Sequence, residues 1–165
     1  MSKDLSGQDL RGGNIFNLIP DFKTYNLSRT NLSKMDLSRV NLYKANLEET
    51  DLSRANLYSA YLSEANLSGA NLEGAELEEA NLEGANLEGA TLWGANLERA
   101  NLRYANLEGA TLWNADLRDA NLSHANLERA DLEDTNLRGA LYNAKTIWPE
   151  GFDPQGHGAI IEDKD

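Results

Sequence analysis

An all-β solenoid, a parallel β-helix with four five-residue units to each coil, is the fold class this sequence predicts. Three observations predict it. Leucine occupies every fifth position from Leu27 through Leu137, with Phe22 one step earlier. Two residues before nearly every leucine stands a small residue, usually alanine, and directly before it asparagine or aspartate, so the unit reads Ala-(Asn/Asp)-Leu-x-x. The strongest longer self-match is at 20: residues 88–107 read EGATLWGANLERANLRYANL and residues 108–127 read EGATLWNADLRDANLSHANL.

A period of five fits neither the helical repeat near 3.6 nor the strand repeat of 2. Within Ala-Asn-Leu, however, Ala and Leu are two apart and share a face, with Asn opposite, as in a strand. Carrying that alternation through x-x would put the next Ala outside, so the chain turns there. Each unit is a three-residue strand and a corner, and long runs of them wind into coils stacked in parallel. The self-match at 20 sets four corners per coil, although a duplication would leave the same mark. Residues 21–140 then hold six coils, a body roughly 29 Å long at ~4.8 Å per strand.

The elements follow in order. Residues 1–20 form an N-terminal cap and a first coil, with Leu5, Leu10 and Ile15 five apart. Ile15 and Leu27 are out of phase by two residues, and Phe16-Asn17-Leu18-Ile19-Pro20 reads as the loop that absorbs them. Tyr25, Thr30, Met35 and Val40 fill the first small slots of the main array, one layer of larger side chains beneath the cap. Corners whose second x is Gly or Asn suit a type II turn, which needs φ > 0 there. Those are Gly69, Gly89 and Gly109 in one row and Gly74, Gly94 and Asn114 in another, with type I corners expected where the slot holds Ser, Glu, Lys or Arg. Residues 141–165 break the lattice. Trp148 and Phe152, fixed by Pro149 and Pro154, would cover the open end, with Gln155 to Asp165 loose.

The Ala-(Asn/Asp)-Leu-x-x array resembles the pentapeptide repeat protein family, abundant in photosynthetic bacteria, across about residues 21–140 and more weakly back to residue 4. The resemblance implies a right-handed quadrilateral β-helix of about six to seven coils. It also implies one known activity: some members are DNA mimics that inhibit a type II topoisomerase, DNA gyrase, using long loops and a dimerising C-terminal helix.

Composition narrows the function. The formal charge of −12 and pI near 4.5 argue against direct binding to nucleic acid or an anionic membrane. Without cysteine there are no disulfides and no thiol chemistry. No stretch has the apolar length of a signal peptide core or a membrane span, so a cytoplasmic location is the default. His124 and His157 stand apart as surface histidines, and neither a catalytic residue, a metal site nor a cofactor is expected.

Four features remain as carriers of function. Asn26, Asn46, Asn66, Asn86, Asn106 and Asn126 share one column and read as an outward amide ladder. Glu48, Glu88, Glu108 and Glu128 read as a solvated acidic row, with weak cation binding or a raised carboxyl as the functional alternative. Trp93 and Trp113 occupy one first-x column on successive coils, near stacking distance, as a docking patch or a self-packed pair. Between Ala55 and Glu98 there is no Lys or Arg, while Glu64, Glu73, Glu76, Glu78, Glu79, Glu83, Glu88 and Glu98 form an acidic belt.

Duplex DNA carries roughly 0.6 charge per Å. The belt matches that locally, at about 0.75 per Å over 10–11 Å of strand stacking, but does not run the length of the body. The chain also has no internal insertion after residue 26 and no helical tail, so gyrase inhibition is the alternative reading. The leading one is a non-enzymatic scaffold presenting Trp93, Trp113 and a flat acidic face (Glu73, Glu76, Glu78, Glu79, Glu83 and Glu88) to an unidentified protein partner. It would be a monomer or a weak homodimer through its ends or through Trp93/Trp113.

Overall fold

The computed structural model describes residues 3–11 and 25–162; Phe22 and the loop expected at residues 16–20 lie outside the described residues. Four two-residue strands can be named: β1 (Lys3–Asp4), β2 (Tyr25–Asn26), β3 (Leu141–Tyr142) and β4 (Ile160–Ile161). β1 pairs with β2 and β3 with β4, both in parallel. Between them runs a ladder of single parallel bridges, each joining an Asn-slot residue to the one 20 further on, from Asn26↔Asn46 to Asn121↔Leu141. The result is a β-solenoid, with no helix among the described residues.

One unit explains the repeat. Ala85 N donates to Leu82 O across the preceding corner at 2.9 Å. Asn86 N donates to Ala65 O at 2.9 Å, one coil back, and Leu87 N to Asn106 O at 2.7 Å, one coil on. Gly89 N reaches Glu108 O at 2.9 Å. The remaining donor, Glu88 N, is taken by the side-chain oxygen of Asn86 at 3.2 Å. Every backbone N–H of the unit is thereby engaged, as a buried stack of short strands requires. The fifth bond is why the slot before leucine prefers Asn or Asp: only an acceptor on a short stem can bend back to the N–H two residues on. The corners after Tyr61, Glu76, Thr91 and Thr111 lack it, whereas those after Asn66, Asn71, Asn81, Asn96 and Asp116 have it.

The corners are uniform, and here the expected division into type I and type II fails. The second x has positive φ at every corner from Arg29 (57°) to Gly139 (75°), including Glu49, Glu64, Glu79 and Arg99. The reason is the stacking. From Arg29 to Asp119 the second-x N–H of each corner donates to the first-x carbonyl of the corner above, as in Arg54 N→Glu73 O and Gly74 N→Trp93 O, and His124 N takes Asn143 Oδ1 instead. A row bonded this way holds one geometry throughout, and non-glycine residues bear a cost of about 1 kcal/mol to follow it.

Inside, leucines and alanines form one continuous core. Tyr25 and Thr30 are buried in the wide layer, with Met35 and Val40 partly buried against it. Three threonines replace alanine without stranding a hydroxyl: Thr30 Oγ1 and Thr50 Oγ1 donate to Leu27 O at 2.7 and 2.8 Å, and Thr135 Oγ1 to Leu112 O at 2.8 Å. The first coil joins with an offset of 22, Lys3 opposite Tyr25 and Asp9 opposite Asn31, which is where the two extra residues go.

The far end differs from expectation. Trp148 packs edge-on against Tyr142 at 5.4 Å and stacks on Phe152 at 5.4 Å. Both Trp148 and Phe152 rest on the core, as a cap should. The stretch after Gln155, however, is not loose as far as residue 162. Gly139 N donates to Gly158 O, Ile160 N to Ala140 O and Glu162 N to Tyr142 O, and Ala159 is buried. The open backbone edge of the last coil is what the tail satisfies, a partner that no pattern within the tail itself announces.

Candidate interaction surface

Since Ala and Leu point inward, chemistry is left to the slot before leucine and to the two corner residues. The 20-residue register sorts the corner residues into four rows running along the solenoid. One row holds Ser33/Lys34, Ser53/Arg54, Glu73/Gly74, Trp93/Gly94, Trp113/Asn114 and Glu133/Asp134.

In that row Trp93 and Trp113 stack with ring centroids 5.6 Å apart and planes within 9°. They are 41% and 42% exposed, so packing on each other leaves much of each indole in water. Trp113 Nε1 donates to Asp134 Oδ2 at 3.3 Å. The glycine beside Trp93 removes any shield: a Cβ at Gly94 would meet nothing within 4 Å.

The acidic residues fall differently from expectation. Glu73 lies in the tryptophan row, Glu78 and Glu79 in the next, Glu83 in the third and Glu88 in the fourth, while Glu76 occupies an Asn slot between the first two. The belt is therefore a ring, not a flat face, because residues 73–88 span most of one coil. Several members are also engaged within the chain. Glu78 pairs with Arg99 at 3.3 Å. Glu79 accepts from Tyr58 Oη at 2.9 Å, Glu76 from Asn96 Nδ2 at 3.0 Å and Glu83 from Asn101 Nδ2 at 3.2 Å.

The asparagine column is a ladder. Asn46 Nδ2 donates to Asn26 Oδ1 at 2.9 Å, Asn86 to Asn66 at 3.2 Å, Asn106 to Asn86 at 3.2 Å and Asn126 to Asn106 at 3.1 Å. Asn26 continues it to Asp4 at 3.2 Å. Each amide oxygen also holds a corner N–H, so these groups are spent on structure. Along the glutamate row Arg129 bridges Glu108 at 3.0 Å and Glu128 at 3.7 Å. No group of three metal-binding side chains occurs among the described residues.

Other charges pair locally. Arg118 holds Asp116 at 2.6 Å and Glu98 at 2.7 Å, and its hydrogen bond keeps the Asp116 carboxyl below the usual carboxylate range. Lys44 pairs with Glu64 at 3.0 Å and lowers the Glu64 carboxyl likewise. The histidines take positions the sequence leaves open. His124 stacks on Tyr104 at 4.4 Å, a contact the 20-residue spacing could have revealed, and His157 stacks on Phe152 at 4.5 Å. A shallow recess of about 420 Å³ lies beside the C-terminal cap, over Leu132 and Phe152.

The family model "Pentapeptide repeats" matches in eight copies, over residues 26–57, 55–94, 80–117 and 100–139. The chain belongs to the pentapeptide repeat family. Among solved structures, HetL, a pentapeptide repeat protein involved in heterocyst differentiation regulation from the cyanobacterium Nostoc sp. strain PCC 7120, is 32% identical. That match covers 98% of this chain and 84% of HetL, with a TM-score of 0.50. Rfr23, a pentapeptide repeat protein from the cyanobacterium Cyanothece 51142, is 44% identical over 62% of this chain and 63% of its own, with a TM-score of 0.38. A trypsin-treated variant of QnrB1, a plasmid-mediated fluoroquinolone resistance protein, is similar in fold alone. It is 19% identical over 99% of this chain and 91% of its own, with a TM-score of 0.62. No curated protein matches the chain. No helix of the described residues is long and apolar enough to cross a membrane.

Proposed function

We propose that this pentapeptide repeat protein is a non-enzymatic interaction scaffold, a right-handed quadrilateral β-helix of six to seven coils. Its contact surface is the corner row of Trp93 and Trp113 with Glu73 beside them, and Glu76, Glu78, Glu79, Glu83 and Glu88 ring the same level. The carrying observation is the stacked, half-exposed indole pair on a stack of hydrogen-bonded corners, in which Gly74 N reaches Trp93 O at 2.9 Å and Gly94 N reaches Trp113 O at 3.0 Å. Large rigid aromatics of this kind dominate protein interfaces because they bury much area at little entropic cost. Capture of partners from native extract by wild type and by the Trp93→Ala/Trp113→Ala double variant tests the reading. Loss of specific partners is expected; equal recovery by the two forms would sink it.

The competing reading, an acidic mimic of DNA that inhibits gyrase, rests on the local charge density of the belt. The ring arrangement speaks against it, since a DNA-binding cleft would meet only part of the ring at once. Internal pairing of Glu64, Glu78 and Glu98 with Lys44, Arg99 and Arg118 lowers the free charge further. A supercoiling assay decides: potent inhibition of gyrase would overturn the ranking.

A further inference from the structure

The four corner rows treat their charges differently. In the row of Arg29, Glu49, Glu108 and Arg129, cations pair with acids of the same row, as Arg29–Glu49 at 2.8 Å and Arg129–Glu108 at 3.0 Å. The next but one pairs Arg99 with Glu78 and Arg118 with Glu98, and the last pairs Lys44 with Glu64. In the tryptophan row none of Lys34, Arg54, Glu73, Glu133 and Asp134 has an ion-pair partner among the described residues. The order along the row is also polar: Lys34 and Arg54 come first, Glu73 and the two tryptophans lie in the middle, and Glu133 with Asp134 ends it.

We propose that this row is a self-complementary seam through which two copies of the chain associate antiparallel, about a two-fold axis between the coils of Glu73 and Trp93. That axis sets Lys34 against the partner copy's acidic end, Arg54 against a tryptophan face, and Glu73 against the other tryptophan. Each contact occurs twice, as an isologous interface demands. Arg54 on the Trp113 face is a cation–π contact. Glu73 offers a carboxylate to the Trp93 indole N–H, which has no acceptor among the described residues. Other alignments fail on charge. A parallel seam stacks like on like, and an axis through the middle of the tryptophan pair puts Glu73 against Glu133 and Asp134.

The seam rises one strand spacing per coil, so Lys34 and Asp134 are about 24 Å apart. A strip of that length and ~12 Å width buries roughly 600 Å² in total, half the lower limit of a stable interface. The association is accordingly weak and weakens further as salt screens the end contacts. This inference rests on the reading that the tryptophan row is the contact surface, and it names a second copy as an occupant.

Sedimentation equilibrium of the full chain tests it, up to about 1 mM and at low and high salt. Wild type should dimerise at low salt. Lys34→Glu alone and Glu133→Lys/Asp134→Lys alone should each be monomeric, whereas an equimolar mixture should form a heterodimer. Both variants should fold, because Glu and Lys already occupy second-x corners with positive φ at Glu64 and Lys44. The cysteine-free background permits a second measurement. In Lys34→Cys/Asp134→Cys the two thiols are too far apart to bridge within one chain, so oxidation should give covalent dimers, and Lys34→Cys alone should give none. Monomeric wild type at every concentration, or a mixture that stays monomeric, overturns the seam. Undiminished dimers of Lys34→Glu overturn it too. Monomeric wild type whose partner capture still depends on Trp93 and Trp113 removes the seam and leaves the scaffold. A charge-dependent dimer with no tryptophan-dependent capture does the reverse.

Discussion

Asn86 tests what the slot before leucine contributes, because its amide is used three times. Nδ2 donates to Asn66 Oδ1 at 3.2 Å, while Oδ1 accepts from Glu88 N at 3.2 Å and from Asn106 Nδ2 at 3.2 Å. Asn86→Ala deletes all three, and at a net ~1 kcal/mol each the ceiling is about 3 kcal/mol. The site is half-buried, so freed groups regain water and the expected loss is about 1.5–2.5 kcal/mol. For a chain of this size that is a fall in Tm of roughly 3–10 °C. Asn86→Asp keeps both acceptor bonds and loses only the donor to Asn66, so its melt should lie between wild type and Ala. Thermal denaturation followed by circular dichroism at neutral pH reads the series. Equal losses in Asp and Ala would show that the two acceptor bonds, to Glu88 N and Asn106 Nδ2, carry nothing. An Ala variant melting within about 1 °C of wild type would refute the ladder as a source of stability.

Three further outcomes follow from the same geometry. Gly89→Ala meets no atom within 4 Å but must hold φ near +62°, so it should lose about 1 kcal/mol by denaturant titration, from the backbone alone. Gly139→Ala should lose a similar amount, because the Asp119 carboxylate its Cβ would meet is the exposed end of a side chain that can swing aside. Hydrogen bonds also hold Asp36, Asp116 and Asp9 below the ordinary 3.8, Asp9 at about 2 beside Arg11. Depressed folded-state values mean their stabilisation is complete above the ordinary pKa and is lost as pH falls through the lowered ones. Melting temperature should therefore be nearly level from pH 7 to about 5 and fall between about 4 and 2. Asp116→Asn, which keeps the oxygen that accepts from Arg118 N but has no charge to lose, should flatten that fall. Trp148→Ala removes the ring between Tyr142 and Phe152, and hydrogen exchange should quicken at Ile160 and Glu162 before it does at Leu87.

The solenoid was legible in the sequence because inward and outward positions alternate within Ala-Asn-Leu and the self-match at 20 sets the register that the bridges then follow. The corners were not, because propensity for φ > 0 was weighed residue by residue. Arg99 and Glu79 are poor candidates alone, but each lies in a row whose corners hydrogen-bond to those above and below, and cooperation between coils overrides the local preference. The tail was misjudged for a related reason. Nothing in Gly158-Ala159-Ile160-Ile161 repeats with period five, yet the last coil presents Ala140 O and Tyr142 O, and Ile160 N and Glu162 N take them.

The proposed contact surface was only partly legible in the sequence. Trp93 and Trp113 differ by one coil, so their stacking follows directly from register. Glu73 through Glu88 are close in sequence, which in a coil of 20 residues means they are distributed around the axis and cannot share a face. Charges that do share a face lie 20 apart, and the row from Lys34 to Asp134 becomes visible only when the chain is read with that stride. Read so, the cationic start, the aromatic middle and the acidic end are one polar strip about 24 Å long, and the proposed antiparallel pairing rests on that order.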